Sequence, residues 1–117
     1  MQAVPADHTV WQAFAGEFAS AFILIFIVCT VALDRKGDPS RIPIVMAITV
    51  PLLIYIVAPV SSMCINPARA FGPALASGFW QAHWIWCTAP VLGGLAAAVP
   101  YKLLSARADA AEDPLAE

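Results

Sequence analysis

The sequence predicts an all-α membrane protein with three spanning helices and one short helix that enters the bilayer only half-way. Three observations predict it. Of 117 residues, 61% are hydrophobic and only 12% are charged, whereas soluble domains average about 45–50% apolar and about 25% charged. Three apolar runs are each near the ~20 residues that cross ~30 Å of hydrocarbon. Between the second and third runs, "SMCINPARAFGPAL" (Ser62–Leu75) places an asparagine, two prolines and an arginine where membrane segment would continue.

The first span is expected near 11–33, within Val10–Leu33, and its one charge is Glu17. Lipid offers no partner to open backbone, so each span must be an α-helix. The link Asp34–Arg41, "DRKGDPSR", is charged and turn-rich and reads as an aqueous loop. The second span is expected near 43–60, inside the uncharged run Ile42–Ile65. The third, near 83–104, is uncharged until Lys102. The acidic tail, 105–117, is expected to fray.

The interruption at 61–78 has its own logic. Asn66 is a preferred N-cap, because its side-chain oxygen can accept a first-turn N–H. Pro67 follows at the first helical position, where its missing N–H would have been unpaired anyway. Gly78 can end the helix in a left-handed conformation. Eleven residues, 67–77, make about 16 Å of helix, half the hydrocarbon thickness. Such a re-entrant segment aims its partly positive N-terminus into the cavity it lines. Together with Arg69, that forms a barrier to cations and protons which neutral molecules do not feel.

Five of the six Lys and Arg residues lie in the first link or at the end of the third span: Arg35, Lys36, Arg41, Lys102 and Arg107. Cytoplasmic segments collect such residues. The N-terminus is therefore expected outside, and 34–41 and the C-terminus inside, in a plasma (inner) membrane. Trp11, Trp80 and Trp84 fall near the outer ends of the spans, as an interfacial aromatic belt would. Small residues supply helix-packing faces at Ala15, Gly16, Ala19 and Ser20, and at Gly93, Gly94, Ala97 and Ala98; Gly72 is expected to serve the half-helix likewise. Pro51, Pro59 and Pro90 are expected to kink their helices.

Several classes are excluded. A net charge of −2 does not suggest a nucleic-acid partner. Cys29, Cys64 and Cys87 form neither a disulfide framework nor a zinc pattern. No nucleophile–base set points to an enzyme, and no cofactor is expected.

"NPAR" followed by "AFGPA", with "AGEFASAFILIF" before it and "HWIWCTAPVLGGLAA" after it, resembles the second signature loop of the aquaporin (major intrinsic protein) family. The similarity covers about residues 15–104 and corresponds to the C-terminal half of that fold. The resemblance implies a half-channel for passive transport of water or a small neutral solute. It would need a complementary half bearing its own Asn-Pro-Ala loop, and it would belong to a homo-oligomer or to a pair of unlike halves. The alternatives are a truncated, non-conducting fragment and a small membrane scaffold or accessory protein. The resemblance makes Asn66, Pro67 and Ala68 the pore midpoint and Arg69 the filter arginine. Ile54 and Met63 become further filter positions. Ile54 would make the constriction less polar and puts strict water selectivity in doubt, whereas Ala70, Ala74 and Trp86 look like the water-conducting branch. Cys64 is a candidate pore-facing thiol that would react with mercurials, with inert apolar filler as the alternative. Glu17 is expected to accept N–H groups from the loop backbone.

Overall fold

A computed structural model of the chain describes residues 2–34 and 37–112. Arg35 and Lys36 of the first link, and residues 113–117 of the tail, lie outside the described residues. The described chain contains four α-helices: α1 (Val10–Ala32), α2 (Ile42–Ser61), α3 (Pro67–Ser77) and α4 (Trp84–Glu112). Three stretches are long and apolar enough to cross a membrane: Val10–Ala32, Pro39–Ser61 and Trp84–Arg107. The fold is all-helical, with three spanning helices and one half-length helix.

Each helix starts for a local reason. Thr9 caps α1 with a capping box: its hydroxyl accepts from Gln12 N at 3.2 Å, and Gln12 Oε1 accepts from Thr9 N at 2.7 Å. A single 3₁₀ turn, Pro39–Arg41, leads into α2. Asp38 caps that turn, accepting from the Ser40 hydroxyl at 2.6 Å and the Ser40 amide at 3.0 Å. These bonds hold the Asp38 carboxyl below the usual carboxylate range. Asn66 caps α3, its Oδ1 accepting from Ala68 N at 2.9 Å. At the other end Gly78 takes φ 71° and returns its N–H to Ala74 O at 2.9 Å.

Helix α4 runs parallel to α1, and α2 runs back antiparallel to it. The starts of α1 and α4 meet through Trp11 and Trp84, whose ring centroids lie 6.0 Å apart. Lower down, Gly93 presses on α1 so closely that a Cβ there would lie 2.2 Å from Phe18 O. On the other side of α1, a Cβ on Gly16 would lie 3.0 Å from Val57 Cγ1 of α2. Missing side chains thus let the backbones approach.

The packing faces differ from expectation in detail. Ser20 and Ala97 are buried with Gly93, and Gly16 and Gly94 are half-buried, but Ala15, Ala19 and Ala98 are exposed. The contact faces follow i, i+4 pairs, 16 with 20 and 93 with 97, rather than adjacent residues. Gly72 has nothing within 4 Å of a Cβ built on it, so it makes no close approach. The tail also departs from expectation: α4 continues as helix to Glu112. Four alanines between 106 and 111 favour that continuation, since Ala is the strongest helix former.

The buried core is small and sits near one end of the bundle. It joins Ala13 of α1, Cys64 of the loop, Ala70 of α3, and Ile85, Trp86 and Ala89 of α4. Elsewhere large apolar side chains point outward, as on α2, where Tyr55 is 83% exposed and Ile48 67%. A helix hydrophobic all round belongs in lipid or against a partner.

Candidate pore-lining site

The site begins where α2 stops. Ser62 takes φ 66° as the C-cap of α2, and Met63 and Ile65 follow at φ 48° and 54°. Three non-glycine residues out of four sit in the left-handed region, at a cost on the order of 1 kcal/mol or more each. Such a backbone persists only where its surroundings fix it.

Glu17 is what fixes it. Its side chain is fully buried. One oxygen, Oε1, accepts from Cys64 N at 2.8 Å and from the Ser61 hydroxyl at 2.8 Å. The other, Oε2, accepts from Ile65 N at 2.7 Å. A buried carboxylate is costly unless donors surround it, and here three donors do. From α4, Trp86 Nε1 donates to Ser61 O at 3.1 Å and ties down the carbonyl end of α2. Near the chain start, the Ser62 hydroxyl donates to Ala3 O at 3.0 Å.

Depth follows from these contacts. Glu17 lies seven residues beyond Val10, about 10 Å along α1 at 1.5 Å per residue. The loop descends further. Ile65 and Pro67 border an apolar cleft of about 310 Å³ with Ala21, Leu24 and Ile25 of α1 and Gly94 of α4. Those α1 residues are about 16–23 Å from its start, in a helix of about 35 Å. Helix α3 therefore begins at mid-depth. It then returns toward the starting end, where Phe71 meets Trp80 at 5.7 Å and His83 at 6.5 Å. The N-terminus of α3, with its partial positive charge, points into the middle of the bundle.

The expected pore residues divide into two groups. Asn66, Ala68 and Arg69 are exposed on the chain, Pro67 is half-buried, and Ile54 is 40% exposed. Met63 and Cys64 are only 1% and 2% exposed. The Cys64 thiol donates to Asn66 O at 3.2 Å inside the chain. Its side chain is thus turned away from the open face of this chain, as apolar filler would be. The physical reason is Glu17: it draws the Cys64 amide inward, and the side chain packs against α4. Reading the sequence missed Ser61 and Trp86 as partners of the loop. A hydroxyl at the end of α2 and an indole at the start of α4 were the available signals. Among the described residues no group of three or more His, Cys, Asp or Glu could hold a metal ion.

Comparison with known proteins places this geometry. The family model described as major intrinsic protein matches residues 1–101. The chain belongs to the major intrinsic protein family. Aquaporin NIP6-1 of Arabidopsis thaliana is 41% identical over 93 residues, which is 80% of this chain and 30% of that protein. Nodulin-26 of Glycine max is 38% identical over 98 residues, 84% of this chain and 36% of that protein. Probable aquaporin TIP4-2 of Oryza sativa subsp. japonica is 36% identical over 95 residues, 80% and 37% of the two chains. The chain spans about a third of the length of the curated relatives it matches. Major intrinsic proteins are channels, so membership sets this chain among integral membrane proteins and outside the enzymes.

Proposed function

We propose that the chain supplies one half of a transmembrane pore for water or a small neutral solute. The second half is a complementary repeat with its own Asn-Pro-Ala half-helix, on another chain or elsewhere in a longer one. One observation carries this reading: α3 begins at mid-depth, and Asn66 and Arg69 remain exposed beside that beginning. A single repeat leaves that face open, and a pore needs a second wall. A positive helix end plus a guanidinium repels cations and protons while neutral solutes pass. Ile54 in place of a polar donor makes the narrow region less selective for water alone. The loop's contribution at Met63 and Cys64 comes from backbone carbonyls, since both side chains are buried. Charge placement supports an N-terminus outside, with 34–41 and the C-terminus in the cytoplasm.

Stopped-flow light scattering of proteoliposomes tests the reading. Vesicles holding this chain with a complementary repeat shrink faster than empty vesicles under an osmotic step. Arg69→Ala keeps the water flux and admits protons or larger solutes. Flux equal to that of empty vesicles, with the complementary repeat present, contradicts the proposal.

A further inference from the structure

We propose that the outward face of α2 around Tyr55 is the interface for a second copy of this chain, inserted in the same orientation. The inference rests on membrane insertion alone and not on the pore reading. Leu53 and Ser61 are buried, and Val57 meets Gly16 of α1. These residues mark the face of α2 that packs on α1. Tyr55 lies two residues from both Leu53 and Val57, so at 3.6 residues per turn it points away from α1. Its side chain is 83% exposed. Ile44, Ile48 and Leu52 are exposed on the same side.

Depth makes that exposure costly. A Cβ on Gly16 would lie 3.0 Å from Val57 Cγ1 and 3.6 Å from Ser61 Oγ, and Gly16 stands about 9 Å along α1. Tyr55 is about four residues deeper than that level. It sits about 15 Å below the start of α1, in a helix of about 35 Å. Helical side chains lean toward the helix N-terminus, which in α2 carries the hydroxyl further toward the bilayer middle. Tyr is enriched at the membrane interfaces instead. Among the described residues the Tyr55 hydroxyl has no hydrogen-bond partner. The backbone of the same face adds to the demand. Pro51 and Pro59 lie inside α2 and carry no N–H, so the carbonyls of Ala47 and Tyr55 lose the donor four residues on. Ala47, Pro51, Tyr55 and Pro59 are all exposed. Hydrocarbon supplies neither donors nor acceptors, so protein covers this face.

A second copy supplies what the face lacks. Five of the six Lys and Arg residues lie in the first link or toward the end of α4, and such a bias gives every copy one orientation. Two copies related by a two-fold axis along the membrane normal then present Tyr55 to Tyr55 at equal depth. A tyrosine hydroxyl both donates and accepts. Each copy therefore offers the other a donor and an acceptor, with the freed carbonyls as further acceptors. Ile44, Ile48, Leu52 and Tyr55 recur every three or four residues, the spacing of a helix–helix seam.

Self-association in liposomes tests this. Copies of the full chain carrying a donor or an acceptor dye at the C-terminus are mixed over a range of protein-to-lipid ratios. Energy transfer shows saturable pairing. Tyr55→Phe removes one oxygen and weakens the pairing about fivefold, the scale of a pair of hydrogen bonds between membrane helices. Val99→Ala, at an exposed position on α4, leaves it unchanged. On a background whose native cysteines are replaced, Ile48→Cys crosslinks to its counterpart under oxidation and Val99→Cys does not, which gives a second reading should Tyr55→Phe fail to fold. Circular dichroism establishes folding of each variant. A chain that stays monomeric at every ratio overturns the interface, including the case in which lipid or an unlike chain covers the face. So does pairing that Tyr55→Phe leaves unchanged, or crosslinking at Val99→Cys in preference to Ile48→Cys.

Discussion

Along the seam between α1 and α4, closeness comes from what is missing. Gly93 has no side chain, and the two helices meet backbone to backbone at that point. At residues 62–66, the chain is held by what is present: a carboxylate, a hydroxyl and an indole that together satisfy a strained, non-helical backbone. The seam would suit any pair of spanning helices. The loop suits only a chain that needs polar backbone at membrane depth, which is tolerated inside protein or beside water. The difference separates what makes this molecule a membrane bundle from what makes it a candidate pore.

Substitutions in the two regions sharpen that contrast. Glu17→Ala has the largest effect. It leaves two loop amides and the Ser61 hydroxyl without their acceptor, at about 3–5 kcal/mol in total. Denaturant titration in micelles should show that loss, while the helical content of the folded fraction falls little, because the spans are held separately. Full stability in this variant would mean that the loop does not depend on the carboxylate.

Gly93→Ala comes next. Its new methyl would stand 2.2 Å from Phe18 O, so α1 and α4 must separate, at about 2–3 kcal/mol. Gly94→Ala is the control, because its nearest neighbour would be Ile25 Cγ1 at 3.5 Å, an ordinary contact. A difference of less than about 1 kcal/mol between the two would refute the close approach. Gly72→Ala is smallest and of opposite sign. Nothing lies within 4 Å, and Ala in a helix interior is favoured over Gly by about 0.5–1 kcal/mol. Destabilisation there would show that the open face of α3 is already occupied.

Much of this was legible in the sequence. Run lengths and charge placement gave the three spans, because hydrocarbon demands helices of that length. Asn66, Pro67 and Gly78 gave both ends of α3, because caps and left-handed glycines act locally. Glu17 stood out as the one charge within its apolar run. What stayed hidden depends on tertiary contact. Ser61 and Trp86 offer a hydroxyl and an indole at helix ends, but their partners lie 44 and 25 residues away, so the sequence does not pair them. Left-handed geometry at Ser62, Met63 and Ile65 runs against the preference of those residue types, and only Glu17 in space explains it. The inward turn of Cys64 follows from the same bond.

The account depends on where α3 begins. Pairwise spin-label distances in proteoliposomes measure this directly, with labels on a background whose native cysteines are replaced. One label goes at Ala68 near the start of α3 or at Ala76 near its end. The second goes at Trp11 or Leu33, at the two ends of α1. The account predicts an Ala68 label about equally far from both ends, roughly half the ~35 Å length of α1, and an Ala76 label much nearer to Trp11. Ala68 and Ala76 labels equally close to Trp11 would mean that α3 lies along the surface, and would contradict the account.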